Sequence, residues 1–332
     1  MNIEDRLLIA GSNGMVGSAL KKLLVQKGYG NSNSAGKLFC PPRDDLDLLD
    51  YEAVKSWFRK NKPDTVIIAA ARVGGILANS TKPYDFIFEN IRIETNLIEA
   101  SREFGIKKIM FLGSSCIYPR SCDQPIKEEY LLKGYLEPTN QWYAIAKIAG
   151  IKLCESLKMQ YGIDTISLMP CNLYGVGDNY NIESSHVIPG LINKFYSAKI
   201  NKYNKVVCWG SGQPLREFLY VDDLAEASFF ILNKWETSKN NSEINNFFKN
   251  LSWLNVGSGS EISIKELAFL IAKLIGYEGE IVWETSIPDG TPRKILDISK
   301  IKSLGWEPKI NLEEGLKLAI NDFKKVSHLY RD

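Results

Sequence analysis

Residues 7–17 read Leu-Leu-Ile-Ala-Gly-Ser-Asn-Gly-Met-Val-Gly. The four apolar residues at 7–10 predict a short buried β-strand, and the stretch 11–28 predicts a turn followed by a helix. The glycines of this GxxGxxG pattern let the backbone approach a pyrophosphate closely, and the helix amino terminus then faces the negative charge. Because the loop lies at the first strand-to-helix turn, it predicts a dinucleotide site in an α/β fold.

The rest of the first half alternates apolar runs with helical patterns, which is typical of βαβ units and a parallel sheet. Further strands are predicted at 37–40, 65–71, 108–112 and 165–169, and helices at 90–103 and 142–161. Beyond residue 170 the pattern is less regular, with strands predicted at 206–209 and 253–256 and helices at 222–233 and 263–275. The predicted fold is a Rossmann-type doubly wound parallel sheet with a smaller mixed α/β substrate domain.

The domain boundary is predicted where the pattern changes. The cofactor domain is expected to cover residues 1–175, with return segments near 215–235 and 252–258, and the substrate domain most of 176–332. The Asn-rich segment 239–249 is polar and predicts an exposed loop. Two domains are an ordinary outcome for a chain of 332 residues.

Composition and charge argue against several classes of function. Hydrophobic residues make up 45% and charged residues 24% of the chain, which is typical of a globular protein in water. A net charge of +2 without a long basic block gives no reason to expect a nucleic-acid partner. No apolar run reaches the roughly 20 residues that span a bilayer. The start of the chain is polar, so we expect a cytoplasmic protein with no membrane partner.

Cysteine and histidine usage predicts neither disulfides nor a metal site. The 6 cysteines are scattered without CxxC spacing, and there are only 2 histidines, His186 and His328. In a cytoplasmic chain the thiols are expected to stay reduced, most of them as small packed residues. His328 is interpreted as a surface residue.

Two short motifs predict chemistry on a ketone. Ser114-Ser115-Cys116 follows an apolar predicted strand, and Tyr143 and Lys147 lie four residues apart, hence on one face of a helix. A nearby ammonium lowers the pKa of a phenol from its usual value of about 10 toward neutrality. A serine hydroxyl that binds the same carbonyl oxygen completes an acid and oxyanion site.

Two features of these motifs have a simpler interpretation. A second YxxxK copy, formed by Tyr51 and Lys55, lies in an early polar helix. It has no serine-bearing strand end shortly before it and is interpreted as a solvated surface turn. The thiol of Cys116 has no role in reducing a ketone, and from the residues alone it is equally a small packed side chain.

The end of the second predicted strand distinguishes NAD from NADP. NAD sites usually place an acid there for the ribose hydroxyls, whereas an arginine accommodates a 2′-phosphate. Here Cys40-Pro41-Pro42 carries no acid and Arg43 follows, although Asp44 and Asp45 lie next to it. We therefore expect NADPH as the cofactor.

Several longer stretches are similar to one family. Besides the glycine loop and the Tyr143/Lys147 pair, they are residues 71–76, 113–119, 136–140, 172–175, 185–189, 216–223 and 288–294. Over nearly its whole length the chain resembles the GDP-L-fucose synthase family, which are extended short-chain dehydrogenase/reductases. The resemblance implies NADPH-dependent C4 reduction of a GDP-linked 4-keto-6-deoxy sugar after C3/C5 epimerisation. It also implies a homodimer paired through the helices at 90–103 and 142–161.

The resemblance implies a role for each catalytic residue that matches. Cys116 would be the base and His186 the acid of epimerisation. Ser114 and Tyr143 would hold the enolate oxygen, because stabilising that oxygen is what makes the neighbouring C–H protons acidic. Tyr143 would then protonate the oxygen during reduction, and Lys147 would hold the nicotinamide ribose.

The binding residues implied by the resemblance form two sets. Cofactor contacts are implied at Gly11, Asn13, Gly14, Met15, Val16, Gly17, Arg43, Ala70, Leu112, Gly113, Tyr143, Lys147, Pro170, Asn172, Leu173 and His186. Contacts with the GDP moiety are implied at Lys194, Trp209, Arg216 and Asp289. Three of these residues have a structural alternative: a helix cap for His186, the core for Trp209 and a solvated face for Lys194.

The chain also departs from the family pattern. Asn13 stands where an arginine near the adenosine phosphate is common, which leaves Arg43 as the main cation. Around the sugar, the unusual residues are Trp142, Cys171 and the segments 176–177 and 181–183. One alternative is therefore a C4 reductase without epimerase activity, acting on a GDP-4-keto-6-deoxyheptose from a separate epimerase. A non-catalytic dinucleotide-binding regulator is another, against which the intact Ser/Tyr/Lys set argues.

Overall fold

The computed structural model describes residues 1–32, 35–234, 252–287 and 289–330. The predicted loop at 239–249 lies outside these residues, as does Pro288 at the start of one family-like stretch. Among the described residues, no helix combines the length and the hydrophobicity needed to cross a membrane.

A six-stranded parallel sheet forms the centre of the first half of the chain. In spatial order its strands are β2 (Lys37–Phe39), β1 (Arg6–Ala10), β3 (Thr65–Ile68), β4 (Lys108–Leu112), β5 (Asp164–Pro170) and β9 (Trp253–Val256). Leu8 of β1 pairs with Phe39 on one side and with Val66 on the other. The strand order reverses beside β1, so the loop after β1 lies at the point where doubly wound sheets bind ligands.

Helices pack on this sheet in two groups. In the first, α1 (Met15–Gln26) packs against α7 (Val221–Lys234); in the second, α2 (Tyr51–Asn61), α4 (Pro83–Glu103) and α5 (Gln141–Tyr161) pack together, with the short α3 (Ile76–Thr81) beside α4. β3 is buried at every residue, which explains its unbroken apolar run. The carboxylate of Asp50 accepts two backbone N–H bonds at the start of α2, and Gly162 ends α5 in the left-handed conformation.

The remaining strands form two smaller sheets. β8 (Leu215–Tyr220) pairs antiparallel with β10 (Glu261–Ser263) and parallel with β6 (Asn172–Tyr174) and β12 (Arg293–Lys294). β7 (Lys205–Trp209) pairs in parallel with β11 (Glu280–Glu284). The helices of this part are α6 (Val187–Ile200), α8 (Ile264–Ile275), α9 (Ser299–Ser303) and α10 (Leu312–Val326). Short 3₁₀ turns occur at Ser115–Ile117, Glu128–Tyr130 and Ser327–Tyr330.

Two clusters of buried apolar side chains underlie the two parts. The first includes the six-stranded sheet and its helices, and the second joins Tyr174 and Tyr220 to residues of α6, α8 and α10. Leu173 packs on the first cluster and Tyr174 belongs to the second. Trp306 returns to the first cluster, so the chain crosses between the two more than once. The division into 1–175 and 176–332 stays a prediction.

The predicted fold class is confirmed, and the differences concern individual elements. The strands predicted at 108–112 and 253–256 coincide with β4 and β9. The helix predicted at 90–103 begins earlier, at Pro83, because proline suits the first turn of a helix. The strand predicted at 65–71 ends at Ile68. The short strands β6, β8, β10, β11 and β12 were not predicted.

Candidate active site

The loop between β1 and α1 has the backbone geometry that a diphosphate requires. Gly11 has a φ of +86°, and a Cβ atom there would lie 2.6 Å from the backbone of Ala70. A Cβ atom on Gly17 would lie 2.7 Å from the Cα of Ser12. Gly14 precedes α1, and among the described residues no side chain caps that end. The first N–H groups of α1, which begins at Met15, are therefore available to an anion.

Several of the other residues predicted to bind the cofactor lie at the carboxyl ends of strands of the six-stranded sheet, and Asn172 and Leu173 follow β5 on β6 of a smaller sheet. Ala70 follows β3, Leu112 and Gly113 close β4, Pro170 ends β5, and Asn172 and Leu173 belong to β6. The carboxyl ends of parallel strands meet at one edge, so these residues line one side of a shared cleft. Asn13, in the glycine loop, and Arg43, after β2, are both exposed. These residues fit a dinucleotide.

Ser114, Tyr143 and Lys147 lie together in the structure. The hydroxyl of Tyr143 is hydrogen-bonded to Ser114, which also accepts a bond of 3.2 Å from the backbone N–H of Cys116. The ammonium of Lys147 is buried, lies 5.8 Å from the ring centre of Tyr143 and donates to the carbonyl of Leu112 at 3.1 Å. The set predicted from sequence is therefore one contiguous site.

The charge environment of Tyr143 differs from the one predicted. Burial raises the pKa of Tyr143, and the negative charges of Cys116 and Glu94 act in the same direction. We expected the ammonium of Lys147 to lower this pKa, but Glu94 lies 3.1 Å from that ammonium and balances it. The phenol therefore keeps its proton at neutral pH, as an acid that protonates a forming alkoxide must.

The thiol of Cys116 receives two donors from distant parts of the chain. The side-chain amide of Asn140 donates to Sγ at 3.3 Å, and the ammonium of Lys294 lies 3.6 Å from the same sulfur. An amide donor and a positive charge both stabilise a thiolate. The thiol is half-buried, which does not fit the alternative of a packed core residue. Sequence reasoning assigned no role to Asn140 or Lys294, although both lie in family-like stretches.

His186 lies at the amino terminus of α6. It occupies the capping position, but its ring accepts no hydrogen bond from the helix. The side chain of His186 therefore does not act as a helix cap. Solvent still reaches the residue. Crowding by surrounding protein atoms and the positive charge of Lys294 lower the pKa of His186. Lys294 thus influences both residues predicted for epimerisation.

Lys194 and Trp209 lie side by side. The ammonium of Lys194 is 4.5 Å from the ring centre of Trp209 and donates to the carbonyl of Val207 at 3.2 Å. Trp209 is 50% exposed, so it is not a core residue. An exposed aromatic plane beside a cation suits a nucleotide base and its phosphates.

Arg216 and Asp289 connect this region to the thiol. Both oxygens of Asp289 are occupied by Ser211, which donates from its backbone at 2.9 Å and from its hydroxyl at 2.6 Å. Burial lowers the pKa of Arg216, while the charges of Asp289, Glu137 and Cys116 oppose this change. Arg216 is therefore close enough to interact electrostatically with Asp289 at the nucleotide end and with Cys116 at the sugar end of the site.

A small pocket of about 30 Å³ lies directly beside Cys116. Its walls include Arg120, Glu137, Asn140 and Lys294. Side chains of this kind hydrogen-bond sugar hydroxyls, so the pocket suits part of a sugar ring. Among the described residues, no cluster of three or more histidine, cysteine or acidic side chains is arranged to hold a metal ion.

The second YxxxK copy belongs to a different environment. Tyr51 and Lys55 lie on α2, the early polar helix that was predicted, and both contact Glu103 of α4. The hydroxyl of Tyr51 donates to that carboxylate at 3.0 Å, and the ammonium of Lys55 lies 2.7 Å from it. The copy therefore joins two helices. His328 is exposed, as predicted.

Comparisons with known proteins agree with this geometry. The sequence profile of the NAD dependent epimerase/dehydratase family matches residues 7–245. "Putative GDP-L-fucose synthase 2" of Arabidopsis thaliana is 50% identical over 311 residues, or 94% of this chain and 89% of that protein. GDP-L-fucose synthase of Escherichia coli (strain K12) is 49% identical over 94% of either chain. The chain belongs to the GDP-L-fucose synthase family.

A solved structure extends the comparison for this member of the GDP-L-fucose synthase family. The GDP-mannoheptose C4 reductase from Campylobacter jejuni with NADP bound is 35% identical, with a TM-score of 0.84 over 98% of this chain and 99% of that one. The similarity covers both parts of the fold. The predicted family resemblance is thereby confirmed.

Proposed function

We propose that this member of the GDP-L-fucose synthase family is an NADP-dependent oxidoreductase that epimerises C3 and C5 of a GDP-4-keto-6-deoxy sugar and then reduces C4. The observation that carries the proposal is the thiol of Cys116, held by Asn140 and Lys294 within the same site as Ser114 and Tyr143. An enzyme that only reduces the ketone needs no thiolate. A non-catalytic regulator needs neither the thiolate nor the Ser114/Tyr143 pair. The site therefore favours the bifunctional enzyme.

The chain supplies a fitting place for NADP. Backbone glycines Gly11 and Gly17 leave room for the diphosphate, and Arg43 lies where a 2′-phosphate needs a cation. When bound, NADPH supplies the hydride for C4. The ammonium of Lys147 has three N–H donors, of which the carbonyl of Leu112 takes one, so a donor is left for the nicotinamide ribose.

Epimerisation requires a base, an acid and an oxyanion site. In the proposed step, the thiolate of Cys116 takes a proton from the carbon next to the C4 ketone, and the electron pair moves to the ketone oxygen. The hydroxyls of Ser114 and Tyr143 stabilise that oxygen, and protonated His186 returns a proton to the opposite face. The same exchange at C3 and C5 inverts both centres.

Reduction uses the other half of the site. As C4 becomes tetrahedral, its oxygen gains negative charge and takes the phenol proton of Tyr143. The raised pKa of Tyr143 means that this proton is present throughout the neutral range. The hydroxyl of Ser114 continues to bind the oxygen, so both reactions share one oxyanion site.

The nucleotide end is proposed to bind the GDP moiety. Lys194 and Arg216 supply positive charge for the diphosphate, and the exposed ring of Trp209 supplies a plane for the base. Asp289 is proposed to contact the nucleotide as well, from the position that Ser211 fixes.

The heptose alternative has weaker support. The chain is 50% identical to a fucose synthase and 35% identical to the heptose reductase. Residues around the sugar that depart from the family pattern, such as Trp142, could suit a different sugar. The experiment below therefore includes the heptose substrate. A non-catalytic regulator has no support, because a buried ammonium beside a half-buried phenol is not needed to bind a dinucleotide.

We further propose a homodimer that pairs through α4 and α5. Exposed apolar side chains on these helices support it, with Tyr84 and Phe88 on α4 and Ile145 and Leu153 on α5. A cytoplasmic location is proposed as well. It is supported by the six free cysteines, because thiols persist in a reducing compartment.

Solvent-deuterium exchange tests the proposed function. The enzyme is incubated in D₂O with GDP-4-keto-6-deoxymannose and without NADPH, and then NADPH is added and the product is identified by NMR. We expect deuterium at C3 and C5 before reduction. Reduction of a pre-epimerised ketone without any exchange would instead support the reductase alternative, and a parallel assay with the 4-keto-6-deoxyheptose distinguishes the sugars.

A further inference from the structure

A buried carboxyl group lies next to the ammonium of Lys147. Glu94, on α4, and Lys147, on α5, are each 1% exposed, and Oε1 of Glu94 lies 3.1 Å from Nζ of Lys147. Neither oxygen of Glu94 has an aligned hydrogen-bond donor among the described residues. The contact with Lys147 is therefore an ion pair inside the protein.

The packing around this pair leaves room for the carboxylate. Gly150 lies one turn after Lys147 on α5, and a Cβ atom there would lie 2.5 Å from the ring of Phe111 and 2.8 Å from Oε2 of Glu94. Glycine inside a helix destabilises it by about 0.5–1 kcal/mol relative to alanine. The glycine therefore leaves a space that the ring of Phe111 and the carboxylate of Glu94 share.

A buried ammonium needs a compensating charge. An unpaired buried charge is strongly unfavourable, and a carbonyl such as that of Leu112 supplies a dipole but no charge. Glu94 supplies the charge. Burial raises the pKa of Glu94, and the ammonium of Lys147 opposes that rise, which favours the charged carboxylate.

The charge of Glu94 also reaches two other titratable groups. It contributes to the raised pKa of Tyr143, after burial and Cys116, and to the raised pKa of Cys154, after burial. Both residues lie on α5, one turn before and two turns after Lys147. β4, which also packs here, contributes the uncharged ring of Phe111, 4.6 Å from the ammonium.

We propose that Glu94 is a positioning residue, which holds the ammonium of Lys147 where it serves Tyr143 and the cofactor ribose and which offsets the positive charge felt by the phenol. The inference rests on the catalytic roles proposed above for Tyr143 and Lys147. It adds a residue from α4, outside the motifs that define the site. Together with burial and the charge of Cys116, Glu94 opposes the effect of the neighbouring lysine on the pKa of the phenol.

Glu94→Gln, which removes the charge at constant volume, tests the inference. NADPH affinity is measured by fluorescence titration without the sugar, and kcat/KM for reduction is measured against pH. We expect NADPH to bind about tenfold or more weakly, because the ammonium loses its partner. The alkaline limb of kcat/KM should also move to lower pH, since removing a negative charge lowers the pKa of Tyr143. Glu313→Gln, which opens an exposed pair with Lys317, is the matched control.

The outcomes separate the two proposals. A wild-type enzyme that does not reduce the ketone contradicts the proposed function, whereas the NADPH titration still tests Glu94. An active wild type, with a Glu94→Gln variant that binds NADPH normally or loses rate equally at every pH, overturns the positioning role. If Glu94→Gln does not fold, Glu94→Asp takes its place. That variant should bind NADPH more weakly while keeping the wild-type alkaline limb, and normal NADPH affinity would overturn the inference.

Discussion

The ammonium of Lys294 lies 3.6 Å from the sulfur of Cys116, although 178 residues separate them in the chain. Strand pairing explains the contact, because β12 lies parallel to β8 and places Lys294 opposite Arg216. The same ammonium lowers the pKa of His186. The ammonium of Lys294, which β12 positions beside β8, therefore acts on both the base and the acid of the proposed epimerisation.

Lys294→Met should change both the rate and the pH dependence of hydrogen exchange at C3 and C5. The rate should fall about tenfold or more, because the thiolate loses a charge-assisted donor. Since the positive charge lowers the pKa of His186, its removal raises that pKa. The acid form of His186, which disappears as pH rises, should then persist to higher pH. Deuterium incorporation followed by NMR across a pH series measures both effects.

The control for this substitution is Lys302→Met. Lys302 is an exposed residue of α9 whose ammonium pairs with Glu307. We expect its exchange rate and pH profile to match the wild type. An unshifted profile in Lys294→Met would show that the lysine does not act on His186.

Cys116→Ser should separate the two halves of the reaction. A serine hydroxyl is a far weaker base than a thiolate, so exchange at C3 and C5 should fall by about 10²- to 10⁴-fold. Reduction of an already epimerised ketone should remain within a few-fold of the wild type, because Ser114 and Tyr143 are unchanged. Equal loss of both activities would contradict this division of roles. The assays are deuterium exchange without NADPH and NADPH oxidation at 340 nm.

Tyr143→Phe should abolish reduction while sparing the cofactor site. The variant lacks the phenol that protonates the C4 oxygen, so kcat should fall by about 10²- to 10⁴-fold. The ring is retained and the ammonium of Lys147 is still held by Glu94 and Leu112, so NADPH affinity should change little. Stopped-flow oxidation of NADPH and fluorescence titration measure the two quantities. Turnover close to the wild type would exclude Tyr143 as the acid.

Much of the cofactor half was predictable because its signals are local. A single stretch at 7–17 carries the strand, the glycine loop and the helix start, and the strands β4 and β9 coincide with apolar runs in the sequence. Ser114, Tyr143 and Lys147 were found by spacing on one strand end and one helix. Residue types and short intervals were sufficient for these features.

The partners of those residues were not predictable in the same way. Lys294 and Asn140 reach Cys116 through the tertiary fold, and no interval along the chain indicates either contact. Glu94 is an acid on a helix with several polar residues, so the sequence alone suggests an exposed side chain. The burial of Glu94, and hence its contribution to the raised pKa of Tyr143, becomes visible only when α4 packs on α5.

Trp209→Ala tests the proposed nucleotide end. Stacking of a base on an aromatic ring contributes about 1–3 kcal/mol, so KM for the GDP-sugar should rise about 5- to 150-fold. The residue lies away from the reacting oxygen, and kcat should stay within a few-fold of the wild type. Initial rates at saturating NADPH measure both parameters. Trp209→Phe, which keeps an aromatic plane beside Lys194, should recover much of the loss, and an unchanged KM in the alanine variant would remove Trp209 from the base site.

Gly17→Ala should destabilise the protein and weaken NADPH binding together. The added Cβ atom would lie 2.7 Å from the carbonyl carbon of Gly11 and from the Cα of Ser12, and backbone atoms cannot swing away as a flexible side chain does. Overpacking of this kind lowers the free energy of unfolding by about 1–3 kcal/mol. Gly14→Ala is the matched control for stability, because a Cβ atom there meets only the carbonyl oxygen of Gly11 at an ordinary 3.6 Å and Gly14 has a negative φ. Thermal unfolding and NADPH titration of both variants measure the effects, and a Gly17→Ala variant as stable as Gly14→Ala would show that the loop tolerates a side chain at its closest approach.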